Sequence, residues 1–219
     1  MNKNIIYIII SILLLIILIK IHKKENLTNF EGITYRLSDN WNSIIPLDLK
    51  NRPIKYLEIG AFHGANVISV ANSYGSHPDS KLYCIDPWIN YDEYPEYKED
   101  GKQENNFNIF TRNISNNNLN NKVITYRGFS AIEIPKLEDN SFDIIFIDGN
   151  HEPEYVLEDA VLSFPKLKVG GYMVFDDYEW DGGLSGTDKG IDSFFNGYYK
   201  RIKEINRNHN GQSFLQKLK

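Results

Sequence analysis

A chain of 219 residues with a single cysteine cannot close a disulfide within itself. Cys84 lies in an apolar, strand-like run, which argues against a disulfide-rich secreted scaffold and fits a reducing compartment. Positive charge is also scarce: 24 Lys and Arg stand against 29 Asp and Glu, a net charge of −5. Residues 1–25 hold four of those basic groups and one acidic group, so the remainder carries 20 basic against 28 acidic, a net of −8. Neutralising phosphates needs clustered cations, so nucleic acid is excluded as a partner. The dinucleotide fingerprint G-x-G-x-x-G is missing too. In its place Glu58-Ile-Gly60-Ala-Phe-His-Gly64 has only two glycines, with Phe62 and His63 between them, and a pyrophosphate would fit badly.

What the chain does have begins with a hydrophobic run. Residues 5–19 are almost unbroken Ile and Leu, flanked by Lys3 and by Lys20, Lys23 and Lys24. No small-x-small cleavage site follows, which disfavours a signal peptide, and the run is apolar on every face, which disfavours a core helix. With Lys20 snorkelling, the span reads as an uncleaved, single-pass transmembrane helix over residues 1–25. The basic cluster behind it places the following domain on the cytoplasmic side. Residues 26–53 then read as a linker and N-terminal extension, and 54–219 as one domain.

Within that domain short apolar runs alternate with longer amphipathic ones. Strands are expected over 54–59, 81–85, 122–127, 142–147 and 172–175, with helices over 65–74, 102–114, 130–137, 154–167 and 190–199. Two closing strand-like runs flank Asn208-His209-Asn210-Gly211, a hairpin signal. This alternation implies right-handed βαβ crossovers and an α/β, doubly wound, mainly parallel sheet with a C-terminal antiparallel hairpin. In such sheets ligands bind outside the carboxyl ends of the strands. The residues to inspect are therefore Gly60, Asp86, Gly128, Asp148 and Asp176-Asp177.

Each has a plain structural alternative. The Glu58/Gly60/Gly64 loop suits a ligand carrying an ammonium and a carboxylate, or is an ordinary strand-to-helix turn. Asp86 stands 26 residues after Gly60, where nucleotide-binding folds hold ribose hydroxyls, or it is a turn aspartate before Pro87. Phe129 could stack on an adenine and Ser130 hydrogen bond to it, or the pair could cap a helix. Asp148, His151, Asp176 and Asp177 end two strands expected to be neighbours. Crowded carboxylates are costly unless something offsets them, and oxygen ligands favour a hard cation, Mg²⁺ first, with Mn²⁺ or Ca²⁺ as substitutes. His151 could be a helix cap, a ligand or a base.

The series E-x-G-x-x-x-G, Asp at the second strand, F-I-D-G-x-H at the fourth and G-G-x-x-x-x-D-D at the fifth resembles the class I S-adenosylmethionine-dependent methyltransferases. The pair D-G-x-H and D-D is most similar to the small, metal-dependent O-methyltransferases of the macrocin, mycinamicin and cephalosporin-biosynthesis type. The resemblance runs from about Tyr56 to Leu215, including the closing run from Gly211 to Lys217. It implies a seven-stranded Rossmann-like sheet with S-adenosylmethionine held by Glu58, Gly60, Gly64, Asp86, Phe129 and Ser130. It also implies a metal ion on Asp148, Asp176 and Asp177, His151 as general base, and a small-molecule or glycan hydroxyl as acceptor. His63 and the acidic insert over 88–100, WINYDEYPEYKED, depart from the family pattern. The insert's aromatics, Trp88 among them, and a rim of Tyr178, Trp180 and the glycines after it read as substrate walls. A metal-independent methyltransferase and a silent cofactor- or partner-binding module are the alternatives.

Overall fold

The computed structural model describes residues 30–35, 37–90, 101–179 and 186–219. Seven strands form one sheet: β1 (Lys55–Ile59), β2 (Lys81–Asp86), β3 (Val123–Arg127), β4 (Phe142–Ile147), β5 (Leu167–Phe175), β6 (Ile202–His209) and β7 (Gln212–Lys217). Their order is β3-β2-β1-β4-β5-β7-β6. The first five pair in parallel and the closing hairpin is antiparallel, β7 against β5. Parallel strands covered on both faces need unbroken apolar runs. The β4 sequence Phe-Asp-Ile-Ile-Phe-Ile is buried throughout for that reason. Its one charge, Asp143, is matched by Arg52 and Lys168, each at 2.8 Å, and by the Lys55 N–H.

Among the described residues five α-helices flank the sheet: α1 (Ala65–Asn72), α2 (Lys102–Asn116), α3 (Ser130–Glu133), α4 (Pro153–Ser163) and α5 (Thr187–Tyr198). Side chains alternate across a strand, so Tyr56 and Glu58 face one layer while Leu57 and Ile59 face the other. The first layer packs α1 and α2 through Val67, Ile68, Phe110 and Ile114. The second packs α4 and α5 through Val156, Ala160, Ile191 and Phe194. The chain winds from β1 out to β3 and then returns to β4 on the other side of β1. Strand order therefore reverses between β1 and β4, and the loops after those strands diverge around a crevice.

Two of the boundaries that differ from the sequence reading have a plain cause. The helix expected over 154–167 stops at Ser163 because Pro165 cannot continue it, and β5 begins at Leu167 rather than at 172. Ahead of β1, Leu37–Ser43 and Leu47–Asn51 are 3₁₀ turns packed on the domain. Trp41 is fully buried there, 5.4 Å from the Phe146 ring, and its indole N–H donates to Gln212 on β7 at 3.0 Å.

The membrane localisation is corrected. Among the described residues no helix is long and apolar enough to cross a membrane. The longest, α2, has 15 residues and one polar face, and at ~1.5 Å per residue it falls short of a ~30 Å hydrocarbon core. The run over 5–19 that carried the expectation lies outside the described residues.

Trp41 joins the N-terminal segment to β1, β4 and β7, so its truncation should act on the whole domain. Trp41→Ala is expected to cost about 3–5 kcal/mol, and to lower the melting temperature by roughly 10 °C in a calorimetric scan. Trp41→Phe, which loses the bond to Gln212 but keeps a ring, should cost about half as much.

Candidate functional site

The crevice between β1 and β4 opens into a cleft of about 1030 Å³ at the carboxyl ends of the strands. Gly60 decides how closely the two loops approach. Its φ is +85°, and a Cβ there would lie 1.7 Å from the carbonyl oxygen of Asp148. Only glycine combines that backbone with that contact. The loop then turns through Phe62, at φ 42°, to Gly64, which starts α1 at φ 84°. Gly64 does not line the cleft; a Cβ on it would press on the Phe110 ring at 3.0 Å, so its role is to shape the turn.

Asp86 at the end of β2 lines the cleft and also serves as a turn aspartate. It accepts the N–H of Phe62 at 2.9 Å and of Trp88 at 2.8 Å, with Ala61 as a third backbone donor. Burial raises its pKa, and these N–H groups hold the rise in check. Glu58 lies at the floor of the cleft. Burial pushes its carboxyl up to about 8, against hydrogen bonds from the Tyr56 hydroxyl at 2.6 Å and from Asn66. Phe129 is half exposed along the rim, and Ser130 hydrogen bonds with Asp159.

In the same cleft Asp148, His151 and Asp177 converge. Each offers one ligand atom, and those atoms lie within 4.8 Å of one another. His151 Nε2 stands 2.8 Å from Asp177 Oδ2. Asp177 adopts φ 56°, a left-handed conformation that Asp tolerates better than most residues. Asp176 is more deeply buried beside this group and lines the same cleft. Burial and Asp177 push its pKa to about 7, while the Gln212 side chain and the Asp177 N–H draw it back. The Gln212 amide nitrogen is itself fully buried and meets no acceptor in hydrogen-bond geometry. The Asp148 carboxyl is raised well above the usual carboxylate range, first by burial and then by Asp176 and Asp177. Among the described residues no Lys or Arg lines the cleft. It is an anionic chamber suited to a cationic ligand.

All the residues expected at the site therefore line one cleft except Gly64. Others were not foreseen. Asp159 sits on the buried stripe of α4 with Val156 and Ala160, and burial lifts its pKa to about 7. A carboxylate at a core position of an amphipathic helix was the available signal. Asn66 and the wall of Ile33, Tyr35 and Leu37 gave none, since nothing local shows that they fold over the cleft. Trp88 is not a substrate wall. It is buried between Phe107 and Phe110, both at 4.9 Å, with its indole N–H on the Phe62 carbonyl. The Tyr178 hydroxyl is turned to Asp192. Residues 91–100 and Trp180 with the glycines that follow lie outside the described residues.

A doubly wound sheet of this order, with a glycine turn after β1 and an acid after β2, defines the class I methyltransferase architecture. Residues 57–178, more than half of the chain, match the family described as a methyltransferase domain, and the chain belongs to that family. A viral relative, uncharacterized protein R132 of Acanthamoeba polyphaga mimivirus, is 29% identical over 153 residues, or 69% of this chain. The chain spans 63% of that protein's length. Among solved structures the O-methyltransferase TomG of Streptomyces achromogenes, in complex with SAM, superposes with a TM-score of 0.58 at 16% identity, over 79% of this chain and 77% of its own. MycE of the mycinamycin pathway, in complex with Mg, SAH and mycinamycin VI, gives 0.54 at 16% identity, over 86% and 51%. At such identities the two structures speak for the fold alone.

Glu58, Asp159 and Asp176 all have folded-state pKa values above their ordinary 4.5, 3.8 and 3.8. A raised carboxyl favours the folded state while protonated, and that stability is lost as pH climbs from about 4 through 7 to 8. The metal-free protein should therefore melt at a lower temperature at pH 8.5 than at pH 6. Glu58→Gln, which keeps an acceptor for Tyr56, should recover roughly 2–4 kcal/mol at the higher pH and little at pH 5 in parallel melts.

Proposed function

We propose that this protein transfers the methyl group of S-adenosylmethionine to a hydroxyl of a small, sugar-like acceptor, with a divalent cation, Mg²⁺ first, at the acidic end of the cleft. The observation that carries the reading is the convergence of Asp148, His151 and Asp177 in a cleft that Gly60, Asp86 and Phe129 also line.

The cleft fits the methyl donor in size and charge. Its volume is at the upper limit of ordinary small-ligand sites, and its carboxyl groups face a ligand that carries a sulfonium and an ammonium. The backbone of the Gly60 turn would border the amino-acid portion, with Glu58 beneath it. The free lone pairs of Asp86 would accept the ribose hydroxyls, and Phe129 and Ser130 would border the adenine. Two carboxylates, an imidazole and the adjoining Asp176 also fit a hard divalent cation. When bound, such an ion would lower the pKa of an acceptor hydroxyl.

The protein's own work is then to orient and to move one proton. Methyl transfer needs the acceptor oxygen aligned with the sulfonium methyl, so fixing two ligands across one rigid crevice is the main contribution. His151 takes the hydroxyl proton, and Asp177 steadies its ring. Asp148 sits where β4 meets the Gly60 turn, so it ties the acceptor end of the cleft to the donor end.

Calorimetric titration of the full chain with S-adenosylmethionine and, separately, NAD tests the donor, each with Mg²⁺ and with chelator. A panel of hydroxylated acceptors then tests the reaction. S-adenosylmethionine alone should bind, and methylation should require Mg²⁺; turnover undiminished in chelator would strike out the cation. Asp148→Asn should abolish the thermal stabilisation by Mg²⁺ and cut turnover by at least about 100-fold. His151→Ala should cut turnover by about 10²–10⁴-fold and leave the Mg²⁺ stabilisation in place. If it loses both, His151 is a ligand and not the base.

A further inference from the structure

His63 has no part in the chemistry above, yet it is the most heavily engaged residue of the glycine turn. It is nearly buried, and its two ring nitrogens work in opposite directions. Nε2 meets Asn106 Oδ1 of α2 at 3.1 Å, and Nδ1 accepts the backbone N–H of Ile33 at 3.2 Å. The segment so caught, residues 30–35, has no secondary structure of its own and is fastened to α2 at a second point. Asn113, fully buried, accepts the Glu31 N–H through Oδ1 at 2.8 Å and donates through Nδ2 to the carbonyls of Glu31 and of His63, both at 2.8 Å. One amide side chain thus ties the segment and the turn together. Arg112 adds a two-pronged contact to the Glu31 carboxylate at 3.0 Å. Gly32, at φ +93°, lies flat on the imidazole, where a Cβ would come within 2.4 Å of Nδ1.

The segment leaves this latch along the mouth of the cleft. Ile33, Tyr35 and Leu37 line it together with Asp148 and Gly149, and Tyr35 is 73% exposed. Beyond the cleft the chain is fastened again, where Ser38 bonds to Asn66 and Ser69 of α1. A strand-less strap held at both ends, with apolar side chains turned over an acidic chamber, has the form of a wall closed around a ligand.

We propose that His63 is a positioning residue that latches residues 31–35 across the cleft, so that this strap forms the outer wall of the S-adenosylmethionine site and sets how tightly the donor and its product are held. The proposal rests on the methyltransferase reading of the cleft. The strap shields the site from water and restrains the bound ligand, and release requires the Ile33–His63 contact to open.

The test uses the full chain and S-adenosylhomocysteine, titrated calorimetrically, with hydrogen exchange read at the Ile33 amide. His63→Ala should speed exchange at Ile33 and weaken binding by about tenfold, the effect of losing one hydrogen bond that holds the wall. His63→Asn keeps an acceptor in the place of Nδ1 and loses the contact to Asn106. It should restore slow exchange and near wild-type binding even if its melting temperature stays low, which a purely structural role would not produce. Tyr35→Ala removes an exposed ring from the wall, cannot unfold the domain, and should also weaken binding. Unchanged affinity in His63→Ala despite faster exchange at Ile33, or unchanged affinity in Tyr35→Ala, overturns the wall. Failure of the wild-type protein to bind S-adenosylhomocysteine overturns the functional reading itself, and the wall with it.

Discussion

The contact on which the site depends is the approach of two strand ends, Gly60 after β1 and Asp148 after β4. Where a side chain on Gly60 would stand, the Asp148 carbonyl already does, at 1.7 Å from the position of a Cβ. The Asp148 N–H is bonded to the Ile59 carbonyl and the Gly60 N–H to that of Ile85, so the ends of β1, β2 and β4 are hydrogen-bonded into one rigid rim. The point where strand order reverses is thereby closed by backbone alone, and the cleft opens above it. Any residue with a side chain at position 60 would push β4 away and separate the acidic end of the cleft from the glycine turn.

The fold then bears the cost of the chemistry collected there. Burial raises four carboxyl groups, Glu58, Asp86, Asp148 and Asp176, and neighbouring carboxylates add to it: Asp86 acts on Glu58, Asp177 on Asp176, and Asp176 and Asp177 on Asp148. Each is offset differently. Asp86 has backbone N–H groups, Glu58 has Tyr56 and Asn66, and Asp177 has His151. Asp148 has none of these among the causes that act on it, and it lies where a cation would be most strongly held. Protonation of the buried members is one way such a cluster is kept in a folded protein.

The other feature that organises the molecule is the segment before β1. Trp41 fills the space between β1, β4 and α1, and its hydrogen bond reaches β7 across the sheet. The same segment, a few residues earlier, passes over the cleft on His63 and Asn113. Packing and site are thus built by one stretch of chain, and the stability of the core holds the wall of the cleft in register with the glycine turn.

The architecture was legible in the sequence because its signals are local. Continuous apolar runs at β1, β2 and β4, helical spacing at Phe107, Phe110 and Ile114, and the turn at Asn210-Gly211 depend on neighbours within a few residues. So do the strand-end residues Gly60, Asp86, Asp148 and Asp177, since the end of a buried strand is where a polar residue can first reach the surface. The limits of β5 and α4 were misread where a proline and two glycines allow an apolar run to be either helix or strand. Tertiary structure alone decided that Gly64 faces Phe110 and not the cleft, that Trp88 is core, and that His151 joins Asp148 and Asp177, with Asp176 in the same lining. It also decided that Asp159, Asn66 and Tyr35 line the cleft. The reason is physical: local pattern determines which residues are buried or exposed along an element, whereas the direction of a side chain depends on partners brought from 30 to 170 positions away, as Ile33 is to His63 and Trp41 to Gln212.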